Sequence, residues 1–337
     1  MIALEKKVSL KTWNSFGVDV FTDFFAVFRS PEELDEILNL FDIARNPFLV
    51  IGEGNNLLFT GDFAGLVLHP GVEGIRILEE EGDTVIVSAG AGENWDHFVK
   101  YCVEKNWCGL ENLSLIPGSV GSAPIQNIGA YGVELRDRME YLEAYDLEEK
   151  RRVVLQNADC GFGYRTSIFK EPSAGRYIIT RVVFRLTRKP DFRLDYGEVR
   201  ALFEKRSRHT AEDLRQTIID IRRSKLPETD QYGNAGSFFK NPVVANPVFK
   251  CIEANYREVP HYPAGENMVK IPAAWLIEQA GWKGKRIGNV GTWPFQPLVI
   301  VNYGGAAGKE IYEFSERIRE DVETKFGIAL EREVQVL

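Results

Sequence analysis

The run Ile116-Pro-Gly-Ser-Val-Gly-Ser-Ala-Pro-Ile-Gln-Asn-Ile-Gly-Ala-Tyr-Gly-Val-Glu-Leu135 decides how this chain is read. It has glycine at 118, 121, 129 and 132 and no positive charge. Glycine lacks the Cβ that keeps a ligand away from the backbone. Amide groups left exposed in such turns form concave anion sites. A diphosphate held here would therefore be gripped by main chain rather than by Lys or Arg. Val120, Ile125, Ile128, Tyr131, Val133 and Leu135 supply apolar anchors, which argue for an ordered loop. A plain surface loop rich in turn-forming residues is the competing reading.

Around this run lies an ordinary globular composition. The chain has 337 residues, 44% hydrophobic and 27% charged. That length exceeds what one core comfortably serves, so two or three domains are expected. The net charge of −8 excludes a nonspecific nucleic-acid binder but leaves room for a local basic pocket. No apolar stretch reaches the roughly 18 residues of a membrane span. The N-terminus lacks a secretory core, so a cytoplasmic protein is expected. Cys102, Cys108, Cys160 and Cys251 show no CxxC spacing and are expected as free, buried thiols. Histidine occurs only at 69, 97, 209 and 261, so neither a zinc site nor a Ser-His-Asp triad is expected.

Periodicity and caps predict helices at 31–42 (Ser30 as N-cap, Pro31 first), 95–104, 211–224, 246–254, 272–280 and 309–326. Strand patterns fall at 47–51, 84–88, 141–146, 151–155 and 177–186, with a terminal strand over 328–337. The fold class is thus α+β: an N-terminal part of about 210 residues, a smaller α/β part, and a closing strand. Two phosphate-loop patterns fail on inspection. Gly52-Glu-Gly-Asn-Asn56 lacks the third glycine of a dinucleotide fingerprint, because Leu57 stands there. Gly304 to Lys309 is too short for a P-loop, and Glu310 replaces the Ser or Thr that would reach magnesium. The first remains a candidate phosphate turn.

Asn234-Ala-Gly-Ser-Phe-Phe-Lys-Asn-Pro242 sets Ser237 between a glycine and two aromatics. Buried aromatics exclude water, which strengthens proton transfer or charge stabilisation beside them. No G-x-S-x-G elbow accompanies this serine, so a nucleophile is not expected; a proton donor is chemically allowed, and a turn followed by a strand entering the core is the competing reading. Arg165, after Tyr164, could clamp a carboxylate or make a surface ion pair. Arg222-Arg-Ser-Lys225 ends a helix with cations that complement its dipole or meet a diphosphate. Glu331 and Glu333, read as strand residues, point to one face.

Taken together, Thr12-Trp-Asn-Ser-Phe-Gly17, Gly52–Asn56, Ala89-Gly-Ala-Gly-Glu-Asn-Trp95, Gly109-Leu-Glu-Asn-Leu113, the glycine run, Gly163-Tyr-Arg165, the Asn234–Pro242 run, Ala274-Trp-Leu-Ile277 and Leu330-Glu-Arg-Glu-Val334 resemble the UDP-N-acetylenolpyruvoylglucosamine reductases, also called UDP-N-acetylmuramate dehydrogenases. The resemblance covers nearly the whole chain, and the order of the motifs is specific.

It implies a two-subdomain FAD-binding module of the vanillyl-alcohol-oxidase (PCMH) type over 1–70 and 71–210, with the strand at 327–337 returning to the first subdomain, and an α/β substrate-binding domain over 211–326. It implies noncovalent FAD, NADPH as co-substrate, and reduction of an enolpyruvyl sugar nucleotide in peptidoglycan precursor synthesis. Hydride would pass from flavin N5 to C3, and C2 would be protonated. By position, Ser237 resembles the proton donor, Glu333 the glutamate beside it, and Arg165 the arginine that stabilises the enolate. Gly52, Glu53, Gly54, Asn55, Asn56, Pro117, Gly118, Ser119, Gly121, Ser122, Asn127, Gly129, Ala130 and Tyr131 fall in the FAD site. Tyr164, Tyr196, Lys225, Asn241 and Gln296 fall among substrate contacts. The run Val290-Gly-Thr-Trp-Pro-Phe-Gln296 departs from the family pattern, which has a small residue and a His before the Gln. A monomer is expected, with small-molecule partners and neither nucleic acid nor membrane. Two other readings stay open: an oxidase of the same fold, and a non-catalytic flavin- or sugar-nucleotide-binding protein.

Overall fold

A computed structural model of the chain describes residues 3–170, 175–229 and 231–337. These form two compact units. One comprises Met1–Val8, Thr22–Gly54 and Phe63–Arg222; the other comprises Ser9–Phe21, Asn55–Asp62 and Arg223–Leu337.

Two sheets build the first unit. In the smaller, the strands run in the order Glu5–Ser9, Phe21–Phe28, Phe63–Pro70, Phe48–Val50, and the last three pair in parallel. Strands buried on both faces read as unbroken apolar runs, which explains Phe24-Phe-Ala-Val-Phe28 and Leu66-Val-Leu68. Helix α1 (Pro31–Leu40) covers this sheet with Leu34 and Ile37, and Ser30 accepts the Glu33 amide as its N-cap. The larger sheet is antiparallel, in the order Arg151–Gln156, Met139–Asp146, Tyr177–Thr187, Thr84–Gly90, Ile75–Glu81. Helix α2 (Trp95–Glu104) packs Trp95 and Phe98 on Phe184 of its central strand. The short α3 (Val199–Phe203) and the long α4 (Ala211–Lys225) share an apolar seam of Val199, Phe203, Leu214, Ile218 and Ile221. The sequence assigns 211–224 to the substrate domain. In the structure its apolar face instead packs on this seam, and the helix up to Arg222 belongs to the first unit.

The second unit is built on an antiparallel sheet ordered Gly233–Ser237, Gln296–Asn302, Val290–Trp293, Arg286–Ile287. Helices α5 (Asn246–Glu253), α6 (Ala273–Gln279) and α7 (Gly308–Phe326) follow in order. Helix α7 buries Ile311, Phe314, Ile318, Val322 and Phe326, the stripe visible in the sequence.

The expected terminal strand shrinks to Gln335–Val336, which pairs in parallel with Leu57–Leu58. Residues 331–334 do not continue it. Arg332 makes only an isolated bridge to Phe239, so period-2 alternation breaks. Glu331 and Glu333 therefore do not share an environment. The first is exposed and pairs with Lys240; the second is 8% exposed.

Three of the four thiols are buried as expected. Burial pushes Cys108 up to about 12, with the Glu111 carboxylate adding to it. Cys251 is the exception and is exposed, because α5 turns Phe249 and Ile252 inward on either side of it. Among the described residues, no helix is long and apolar enough to cross a membrane.

Candidate active site

In the first unit the glycine run is strapped to the segment leading into α2. The Val120 amide donates to the Glu93 carbonyl at 2.8 Å, the Gly121 amide to Ala91 at 2.9 Å, and the Trp95 amide to the Gly118 carbonyl at 2.8 Å. Asn94 caps α2 through the His97 amide and also donates to the Glu53 carboxylate at 2.8 Å. Glu53 in turn accepts the Gly118 amide at 3.1 Å, which ties the Gly52–Gly54 turn to the run. A Cβ on Gly52 would lie 2.7 Å from Ser119 Oγ, and one on Gly121 would lie 2.5 Å from Ala91 Cβ. Glycine at these two positions serves the close approach of chain segments to each other.

This corrects the expectation of an open row of amides. The Ser119 amide donates to Ser122 Oγ at 3.1 Å and the Ser122 amide to the Ser119 carbonyl at 3.1 Å. With the Glu93, Ala91 and Glu53 bonds, every amide from Gly118 to Ser122 is engaged. Three of them meet main-chain carbonyls. Those of Gly118 and Ser119 meet side chains, a carboxylate and a hydroxyl, which can rotate away. The donors of this turn that meet side chains and not main chain are thus the Gly118 and Ser119 amides. A carboxylate already rests on one of these donors, so the position accepts an anion.

Further along, Gly129–Ala130 pairs with Val133–Glu134. The two-residue link, Tyr131 and Gly132, has positive φ at both positions (49° and 83°), the geometry of a tight hairpin turn. Asn127, expected among the FAD contacts, is wholly buried. Its amide donates to Glu134 at 2.9 Å and to the Gly163 carbonyl at 3.1 Å, and its oxygen accepts the Arg136 amide. With its polar atoms so engaged, it braces the turn carrying Tyr164 and Arg165. Arg165 has a positive φ of 56° and donates to the Gly129 carbonyl at 2.8 Å. Its guanidinium stands over the Tyr164 ring at 5.6 Å.

Tyr196, half exposed, meets the Tyr131 ring edge-on at 5.9 Å. Asn112 escapes sequence reasoning yet holds this arrangement, donating to the carbonyls of both Tyr131 and Arg193 at 2.8 Å. The Gly109-Leu-Glu-Asn-Leu113 motif contains it, but the sequence assigns it no role. Arg222, at the end of α4, carries a buried Nε with no hydrogen-bond partner. Burial lowers its pKa, opposed by Tyr131 and Asp96.

In the second unit, Ser237 ends its strand half-buried, followed by the fully buried Phe238 and Phe239. The Phe238 carbonyl accepts the Glu333 amide at 2.9 Å, so chain segments far apart in sequence join Glu333 to the residue that follows Ser237. Asn56 donates to the Glu333 carbonyl at 3.1 Å. The Thr12–Gly17 motif explains itself here. The Ser15 carbonyl accepts the Asn234 amide, and the Phe16 carbonyl accepts the Asn302 side chain, both bracing the Ser237 strand. The Asn241 oxygen accepts the Ala273 amide at the start of α6 at 2.9 Å. Lys225 is exposed at the end of α4. Gln296 lies opposite Trp293 at the hairpin that departs from the family pattern, and its Oε1 is buried without a partner.

A first unit of parallel and antiparallel sheets laced by glycine turns, and a second built on an antiparallel sheet, are the two parts that match known families, and the class they define is a flavoprotein. Residues 22–152 match a family model described as an FAD binding domain, and residues 227–337 match one described as the C-terminal domain of UDP-N-acetylenolpyruvoylglucosamine reductase. A reductase of that name from Bacteroides fragilis is 43% identical over 99% of this chain and 100% of the relative. One from Pseudomonas syringae pv. tomato is 47% identical over 98% of each. The crystal structure of the Thermus caldophilus reductase superposes with a TM-score of 0.69 over 100% of this chain and 99% of that one, at 24% identity, and shares the fold. This chain belongs to the UDP-N-acetylenolpyruvoylglucosamine reductase family.

Proposed function

We propose that this chain performs the family's reduction with Ser237 as the acid that protonates the enolpyruvyl carbon. The chain is an FAD-dependent oxidoreductase of peptidoglycan precursor synthesis, with NADPH as reductant. Bound FAD supplies the hydride, taken from NADPH and passed to C3 of the enolpyruvyl group. Hydride arrival leaves negative charge on C2 and its carboxylate, so the site needs a proton donor at C2 and cations or donors at the carboxylate.

The observation that supports the reading is the Glu333 amide on the Phe238 carbonyl, which joins a buried carboxyl residue to the residue that follows Ser237, beside two buried phenylalanines. The Ser237 hydroxyl gives its proton to C2. The resulting alkoxide recovers a proton with the assistance of Glu333. The Arg165 guanidinium offers a planar fork suited to the enolate carboxylate, and its held left-handed backbone fixes where that fork begins. Tyr164 and Tyr196 take substrate, Tyr196 folding over the diphosphate. Lys225, Asn241 and Gln296 hold the nucleotide part. For Gln296, a buried carbonyl oxygen without a partner supports the role, because such a group gains free energy when a ligand donor meets it. The enzyme acts as a monomer on small molecules, in the cytoplasm, a reducing setting that its free thiols suit.

Purified protein should be yellow, bleach anaerobically with NADPH, and recolour on adding UDP-N-acetylenolpyruvoylglucosamine. Ser237→Ala should leave bleaching intact and slow recolouring by at least about a hundredfold, the usual scale of a lost general acid. Recolouring at the parent rate would remove Ser237 from the chemistry.

A further inference from the structure

The strand bearing Ser237 is not regular. Asn234 lies opposite Val301, but Ser237 lies opposite Val299, so one strand takes three steps where its partner takes two. The extra residue is a β-bulge, and bulges re-aim side chains. Its consequence follows from the pleat. Val301 and Val299 are two apart and share a face, so Asn234 and Ser237 share one too. In an unbroken strand, residues 234 and 237 would stand on opposite faces. The bulge alone decides which face receives the hydroxyl.

The Asn234 side chain closes the bulge. It is 4% exposed. Its oxygen accepts the Gly236 amide at 3.0 Å, and its amide nitrogen donates to the Tyr232 carbonyl at 2.8 Å. Gly236 has φ of +66°, with nothing within 4 Å of where a Cβ would be, so the glycine is required by its backbone conformation and not by crowding. Pairing resumes at once, the Phe238 amide donating to Leu298 at 2.9 Å.

We infer that Asn234 is a positioning residue for the protonation step, holding the bulge that presents Ser237 on its working face. The inference rests on the reading of Ser237 as the acid. Asn234→Ala removes both bonds. Asn234→Asp keeps the acceptor for Gly236 and loses the donor to Tyr232. Misplacement of a reacting group by about 1 Å costs on the order of a hundredfold. Stopped-flow of the separate half-reactions should therefore show flavin reduction by NADPH unchanged in N234A. Reoxidation by UDP-N-acetylenolpyruvoylglucosamine should slow at least about tenfold, with N234D between N234A and the parent. Placed on S237A, N234A should slow reoxidation no further, since the group it aims is gone.

Equal slowing of both half-reactions, a parent-like reoxidation rate, or full additivity with S237A would each overturn the inference. S237A reoxidising at the parent rate would instead overturn the reading beneath it, so the two failures are separable. Gly236 gives a second approach if N234A does not fold. Gly236→Ala strains the left-handed position and should slow reoxidation, while Gly236→Asn, which tolerates that conformation, should largely restore it. Parent rates in G236A would also overturn the inference.

Discussion

Gly121 shows what a single hydrogen in place of a methyl achieves. Its absent Cβ would meet Ala91 Cβ at 2.5 Å, with the Ala91 backbone close behind, so neither side can yield by rotation. Overpacking of this kind costs about 1–3 kcal/mol. Gly121→Ala should lower the unfolding free energy measured in urea by that amount and weaken FAD retention, because the loop it displaces carries Gly118 and Ser119. Gel filtration of the yellow protein, followed by the flavin-to-protein absorbance ratio, checks the second effect. The residue scale also separates Glu331 from Glu333. Sequence spacing makes them equivalent, yet one is exposed against Lys240 and the other is buried. What differs is the course of the backbone through Arg332, which no local propensity specifies.

Elements meet through a small number of buried polar pairs. Asp96 in the first turn of α2 accepts both Arg215 nitrogens, at 2.6 and 2.8 Å, and the Leu115 amide at 2.5 Å. One carboxylate thus joins α2, α4 and the entrance to the glycine run. Burial raises its pKa, and the hydrogen bonds from Arg215 and Leu115 more than offset this, so the net shift is downward. A carboxyl whose folded pKa is depressed stabilises the protein above its unfolded value and loses that contribution as pH falls through the folded one. Asp96→Ala should cost about 3 kcal/mol near neutral pH, since it leaves Arg215 buried and uncompensated. The carboxylate's own titratable share of the gap to the parent should close as pH falls through and below the ordinary carboxylate range. Urea denaturation of both proteins from neutral pH into the acid range measures it, and a gap that did not change with pH would refute the assignment.

The helices were legible because caps, periodicity and breakers lie within each segment. Ser30, Pro31 and the Ile311–Phe326 stripe are instances. Strands fared less evenly. Phe21–Phe28 and Phe63–Pro70 lack alternation because both faces are covered, and Ile75–Glu81 is a polar edge strand. Neither kind carries the period-2 signal.

For the whole molecule, the cofactor is a stabiliser by mass action. A ligand that binds only the folded state adds about 2.7 kcal/mol at a hundred times its dissociation constant. Protein stripped of FAD should therefore melt below the yellow form, and readdition should restore the midpoint in proportion to the logarithm of FAD concentration. A midpoint indifferent to FAD would contradict a noncovalent flavin held by the folded chain.

The sequence by itself determined the glycine turns, the helices, the motif order and hence the flavin chemistry, because each is written in contiguous residues whose backbone preferences and side chains act locally. Only the tertiary structure decided which amides of the glycine run already have partners, that Asn127 braces the Arg165 turn, and which face of its strand Ser237 occupies. Those depend on hydrogen bonds whose partners lie far along the chain. The Glu93 and Ala91 carbonyls, the Gly163 carbonyl and the Val299 register are fixed by packing between segments, and packing has no period to read.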